Sequence, residues 1–171
     1  TRGGQSLTVP PAQFGWPEPE YIGPELVVDG SGNWVGDFDV AADLDEWTGG
    51  YNSGDITITW DGAKAKIERV GNVTDAVYLQ SFSVTPGKLY YYNVDRSGSA
   101  NYFRIAGTQG GGLPIFAEGS KGVFIPSTST VWVQIGLDRF GSAGDIAYFD
   151  NISVREINPL SVSIQMDGRM T

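Results

Sequence analysis

The chain has no cysteine and no histidine. Without cysteine there can be no disulfide, no zinc–thiolate site and no thiol nucleophile. Without histidine the commonest general base and the commonest transition-metal ligand are gone as well, so neither a Ser-His-Asp nor a Cys-His catalytic system can be assembled. Basic charge is scarce: 11 Lys and Arg stand against 20 Asp and Glu, a net charge of −9. Nucleic acids and anionic membranes are bound through basic stripes, so neither partner is expected, and a neutral ligand or a metal cation fits better. No apolar run approaches the roughly 18 residues of a membrane span, and no stretch reads as a signal peptide. The chain opens on TRGGQS without Met and ends on QMDGRMT, which reads as a piece of something longer.

What is abundant is the vocabulary of strands and tight turns. The 171 residues include 24 glycines, 5 tryptophans, 8 tyrosines and 8 phenylalanines, enough for one domain with a proper core. Residues 1–24 hold five of the nine prolines, in VPPAQFGWPEPEYIGP. That density favours an extended arm, with Phe14, Trp16 and Tyr21 laid on a surface. From residue 25 onward, apolar or aromatic runs recur at 26–29, 56–60, 63–70, 76–84, 88–95, 101–106, 113–117, 122–125, 130–138 and 145–157. Turn clusters such as YNSGD, WDGA, TPGK and DRFGSAGD separate most of them. Short strands at this spacing mean an all-β sandwich or barrel. Residues 40–47, VAADLDEW, read as loop, and residues 158–171 as a strand or the start of a following module.

Side chains alternate along a strand, so KLYYYNVD at 88–95 puts Tyr90, Tyr92 and Val94 on one face, with Tyr91 and Asn93 on the other. The first face is expected to be core. The second repeats a phrase found elsewhere: Tyr78 and Gln80, Tyr102 and Arg104, Trp132 and Gln134 each pair an aromatic with an amide or guanidinium two residues on. Aromatic planes cover the apolar face of a sugar ring, while amides and Arg serve its hydroxyls. The candidate ligand face is therefore Tyr91, Asn93, Tyr102, Arg104, Trp132 and Gln134. Aromatic residues also populate half-exposed strands with no ligand at all.

Three phrases go further. TPGKLYYY at 85–92, AYFDNISVREI at 147–157, and ELVVDG at 25–30 followed by DEWTGG at 45–50 resemble the strands of carbohydrate-binding-module-type (galactose-binding-like) jelly rolls. Such domains occur in glycoside hydrolases and in bacteriophage tail and virion proteins. The resemblance implies a two-sheet antiparallel jelly-roll sandwich over residues 25–157 that binds polysaccharide or cell-surface glycan without catalysis, in a virion or extracellular protein. It also implies a structural calcium ion between the opening and closing strands. Asp150 matches the closing acid; Asp29, Asp37 and Asp39 all qualify for the opening one, with Asp39 paired to Asp150 as the metal set. Trp47 matches a core tryptophan and is left out of the site.

The acids offer no clear glycosidase pair. Asp43, Asp45 and Glu46 form one run, most other Asp stand beside turn glycines, and Glu68 and Glu118 lie near strands without an obvious partner. The competing expectation is structural: a decoration, tail or fibre domain of a phage virion whose aromatic arm docks on neighbouring subunits.

Overall fold

A computed structural model describes residues 20–110 and 113–158. Among them are eleven strands: β1 (Tyr21–Glu25), β2 (Thr48–Gly49), β3 (Ile56–Trp60), β4 (Ala65–Arg69), β5 (Ala76–Ser83), β6 (Tyr90–Gly98), β7 (Asn101–Ala106), β8 (Ile115–Glu118), β9 (Lys121–Phe124), β10 (Thr130–Leu137) and β11 (Ile146–Ile157). They form two antiparallel sheets. Sheet I runs β3-β4-β11-β6-β9 with β1 also paired to β11; sheet II runs β2-β5-β10-β7-β8. This is the two-sheet antiparallel sandwich that the resemblance implies, and it decides between the sandwich and the barrel that the alternating runs allow.

The core lies between the sheets and is supplied by alternate residues. Val131, Val133, Ile135 and Leu137 of β10 are fully buried, and Tyr90, Tyr92 and Val94 of β6 nearly so. Tyr92 stacks on Phe103 from the opposite sheet, with ring centroids 5.8 Å apart. Trp47 is buried against Phe38, as a core tryptophan should be.

β11 organises sheet I. Its first half pairs with β4, its second half with β1, and β6 runs along its other side. The register slips between Asp150 and Ser153, where Asn151 takes a left-handed φ of 50°. Asn tolerates that conformation better than most residues. The Asn93 amide donates to the Asn151 carbonyl at 2.6 Å, holding the bulge.

Three local expectations are corrected. Strand β1 begins at Tyr21, inside the segment read as an arm, and carries Pro24; its pairing to β11 alone gives it the edge position where proline is tolerated. Residues 26–29 make one isolated bridge, Val28 to Trp34, instead of a strand. Residues Ala41–Glu46 form a short 3-10 turn where loop was read. The rest of the arm, with Phe14 and Trp16, and the C-terminal segment from 159 lie outside the described residues.

Candidate functional site

β10 is the central strand of sheet II, and its alternate residues Trp132, Gln134 and Gly136 face away from the core. The register sets their neighbours. Trp132 lies opposite Ser81 on β5 and Ala106 on β7; Gln134 opposite Leu79 and Arg104; Gly136 opposite Val77 and Tyr102. One strand further, Arg104 lies opposite Glu118 of β8. Directly opposed residues are within side-chain contact, so Tyr102, Arg104, Glu118, Gln134 and Trp132 share one continuous outer face.

That face is walled on one side by the segment after β2. The Gly50 N–H donates to the Val77 carbonyl at 2.9 Å and the Val77 N–H to the Tyr51 carbonyl at 3.2 Å. The segment thus folds onto β5 and buries Val77 and Leu79, although both point outward. It also delivers the Tyr51 hydroxyl to within 3.2 Å of the Tyr102 hydroxyl. Burial holds both phenols above their ordinary range, opposed for Tyr51 and reinforced for Tyr102 by their mutual hydrogen bond. Both are therefore neutral hydrogen-bonding groups at ordinary pH.

Arg104 stacks its guanidinium 4.9 Å from the Tyr102 ring centroid. Its Nε donates to Glu118 Oε1 at 2.8 Å. Gln134 is fully buried; its Nε2 donates to the Thr108 carbonyl at 2.9 Å, and its Oε1 has no partner among the described residues. Gln134 therefore anchors the residues after β7 over the sheet, and does not stand open to solvent.

The six candidate residues do not form one face. Tyr102, Arg104, Trp132 and Gln134 are together on sheet II, whereas Tyr91 and Asn93 are on the outer face of sheet I. There Tyr91 meets the Tyr21 ring edge-on at 6.2 Å, and Asn93 is engaged by the bulge. Alternation gives the face of a residue within its strand but not the sheet to which the strand belongs. On β5 the phrase is inverted: Tyr78 and Gln80 oppose Ile135 and Val133 and so face inward, and the Gln80 amide donates to the Val28 carbonyl. Either face of β5 reads as apolar, because the segment around Gly50 buries the outer one.

Sequence reasoning missed three contributors. Tyr51 sits in YNSGD and passes for a turn residue. Glu118 had no visible partner; the register supplies Arg104. Gly136, inside VWVQIGL, did carry a signal, since a glycine within a strand marks close backbone approach. A Cβ there would collide with the Ala76 carbonyl oxygen.

Of the candidate metal acids, Asp29 is taken up in its own turn, accepting from the Ser31 and Asn33 N–H groups and the Asn33 amide. The Asn33 amide is the main reason its carboxyl lies below the usual range. Residues after Val35 instead meet β11: the Ile152 N–H donates to the Gly36 carbonyl at 2.8 Å. Burial, with the charges of Asp95 and Asp39 added, holds the Asp150 carboxyl above its ordinary range. Burial and then Asp39 do the same to Asp37. This is charge a divalent cation would offset. Yet no three acidic side chains gather as a metal set among the described residues, so the six to eight oxygens of a calcium site would need backbone carbonyls.

No family model matches the chain, and no curated protein matches it. Solved structures do. The second N-terminal cellulose-binding domain of Cellulomonas fimi β-1,4-glucanase C superposes with a TM-score of 0.50 at 15% identity, covering 82% of this chain and 96% of that one. The fold is a jelly-roll β-sandwich, like that of this cellulose-binding domain. A CBM4 structure covers the same shares with a TM-score of 0.45 at 16% identity. The enzymatically active domain of bacteriophage CBA120 tailspike protein 4 matches over 71% of this chain and 20% of its own, with a TM-score of 0.46 at 14% identity. In the jelly roll described here, sheet II carries the aromatic and hydrogen-bonding outer face and sheet I the seams that close the sandwich.

Proposed function

We propose that this jelly roll is a non-catalytic glycan-binding module whose ligand lies across the outer face of sheet II. Trp132 and Tyr102 cover the apolar faces of sugar rings, Arg104, Glu118 and Tyr51 serve hydroxyls, and Gln134 shapes the floor through Thr108. The observation that carries this is the register, which brings Trp132, Arg104 and Tyr102 into adjacent cross-strand positions on one face. Aromatics with a few fixed polar groups suit a neutral, hydroxyl-rich ligand. The cellulose-binding domain from C. fimi, alike in fold, adds support.

In this reading the module is an accessory part of a larger extracellular or virion protein, and a calcium ion between Asp39 and Asp150, completed by backbone carbonyls, ties the segment after Val35 to β11. The test is a glycan array probed with the intact chain, with and without calcium, beside a Trp132→Ala variant. Binding that depends on Trp132 is expected. A folded protein silent across the array would overturn the proposal and turn attention to subunit docking.

A further inference from the structure

Among the described residues that the register sets on the outer face of sheet II, Arg104 is the one cation. Its charge is already answered. Two guanidinium nitrogens reach the same Glu118 oxygen, at 2.8 and 2.7 Å, and the guanidinium stacks against one face of the Tyr102 ring. Glu118 is the outer partner of the pair: its side chain is 55% exposed against 17% for Arg104. A ligand approaching the face meets a carboxylate first and the guanidinium behind it. At the other end, Asp75 is near enough to raise the phenols of Tyr51 and Tyr102 further, and the whole chain carries −9.

We propose that Glu118 is a specificity-determining residue that restricts this face to neutral glycans and rejects chains built of uronic acids. The inference rests on the glycan-binding reading above. A uronate carboxylate brought up to Arg104 would lie beside the Glu118 carboxylate, two like charges side by side at a partly desolvated site. A neutral sugar meets no such repulsion: Glu118 accepts from its hydroxyls while still holding Arg104. Removing the charge but not the shape of Glu118 removes the repulsion a uronate meets beside Arg104 and weakens the charge-assisted pair it must compete with. The substitution spares the core, because the Tyr92 hydroxyl is held by the Glu118 backbone carbonyl at 2.6 Å and not by its side chain.

The test uses polysaccharides matched in ring and linkage and differing by oxidation at C6: α-1,4-galactan against polygalacturonate, β-1,4-mannan against polymannuronate, and β-1,4-glucan against its C6-oxidised form. Affinities of the intact chain and of Glu118→Gln are measured at low and at physiological salt. The wild type is expected to bind a neutral member at least about tenfold more tightly than its acidic counterpart. Salt should change the neutral affinity little, since no net charge is exchanged. Glu118→Gln should narrow the gap to about threefold or less at low salt by gaining acidic binding. A wild type that prefers the acidic member, or a gap that Glu118→Gln leaves unchanged, overturns the selectivity and leaves the glycan-binding reading standing. Failure of both proteins on all six polymers overturns that reading, and the selectivity with it.

Discussion

The hydroxyls of Tyr51 and Tyr102, 51 residues apart in the chain, meet at 3.2 Å over the outer face of sheet II. Burial raises both phenols, and the sign of the consequence follows. A group whose folded pKa is raised adds stability that is full below its unfolded pKa and is lost as pH rises above it. With an unfolded value of 10.0 for tyrosine, the window lies above that pH. Denaturant midpoints should fall between about pH 9 and about pH 11, and fall less in Tyr102→Phe. Equal slopes for the two proteins would mean the pair contributes nothing.

Gly136 lies in the same cross-strand row as Tyr102 and has no room for a side chain, since an added Cβ meets the backbone of Ala76. Gly136→Ala should cost about 1–3 kcal/mol, the usual price of overpacking against atoms that cannot move aside. Urea unfolding measures it, and an unchanged midpoint would show that β5 and β10 can part freely.

Glu25 joins β1 to β11. Its Oε1 accepts from the N–H groups of Leu26, Val27 and Val154, the last at 2.8 Å, and its Oε2 from the Ser153 hydroxyl. Glu25→Ala strands several donors at once and should lower stability by about 1–3 kcal/mol. Hydrogen exchange localises the effect: amides 153–157 should lose protection while those of β10 keep theirs. Uniform loss would argue that β1 is integral to the whole sandwich.

Asp150 is half-buried close to two like charges, those of Asp95 and Asp39. If calcium is held there, the melting temperature should rise when chelator is replaced by excess calcium, as for any ligand bound only by the folded state. Asp150→Asn should abolish that rise while stabilising the metal-free protein, by removing a charge that partial burial penalises first and that Asp95 and Asp39 repel. No calcium-dependent shift in the wild type would rule the ion out.

The sequence made β6, β7 and β10 legible because each has one unbroken apolar face: Tyr90, Tyr92 and Val94, or Phe103 and Ile105, could only be core. It could not assign strands to sheets, because that depends on long-range register. Hence alternation alone groups Tyr91 and Asn93 with Trp132, although β6 and β10 belong to opposite sheets. Where loops fold back onto a strand, alternation also loses its meaning. Leu79 points outward and is buried all the same, and Gln134, expected to meet solvent, is covered near Thr108. Tyr51 was unreadable for the same reason, since only the folded path of a turn puts it against Tyr102.

One comparison separates the two faces of the sandwich. The intact chain, Trp132→Ala and Tyr91→Ala are titrated calorimetrically with the neutral glycan bound best on the array. With the ligand on sheet II, Trp132→Ala loses about fivefold or more in affinity while staying folded, and Tyr91→Ala binds like the wild type. A loss in Tyr91→Ala with none in Trp132→Ala would contradict this and move the ligand to sheet I.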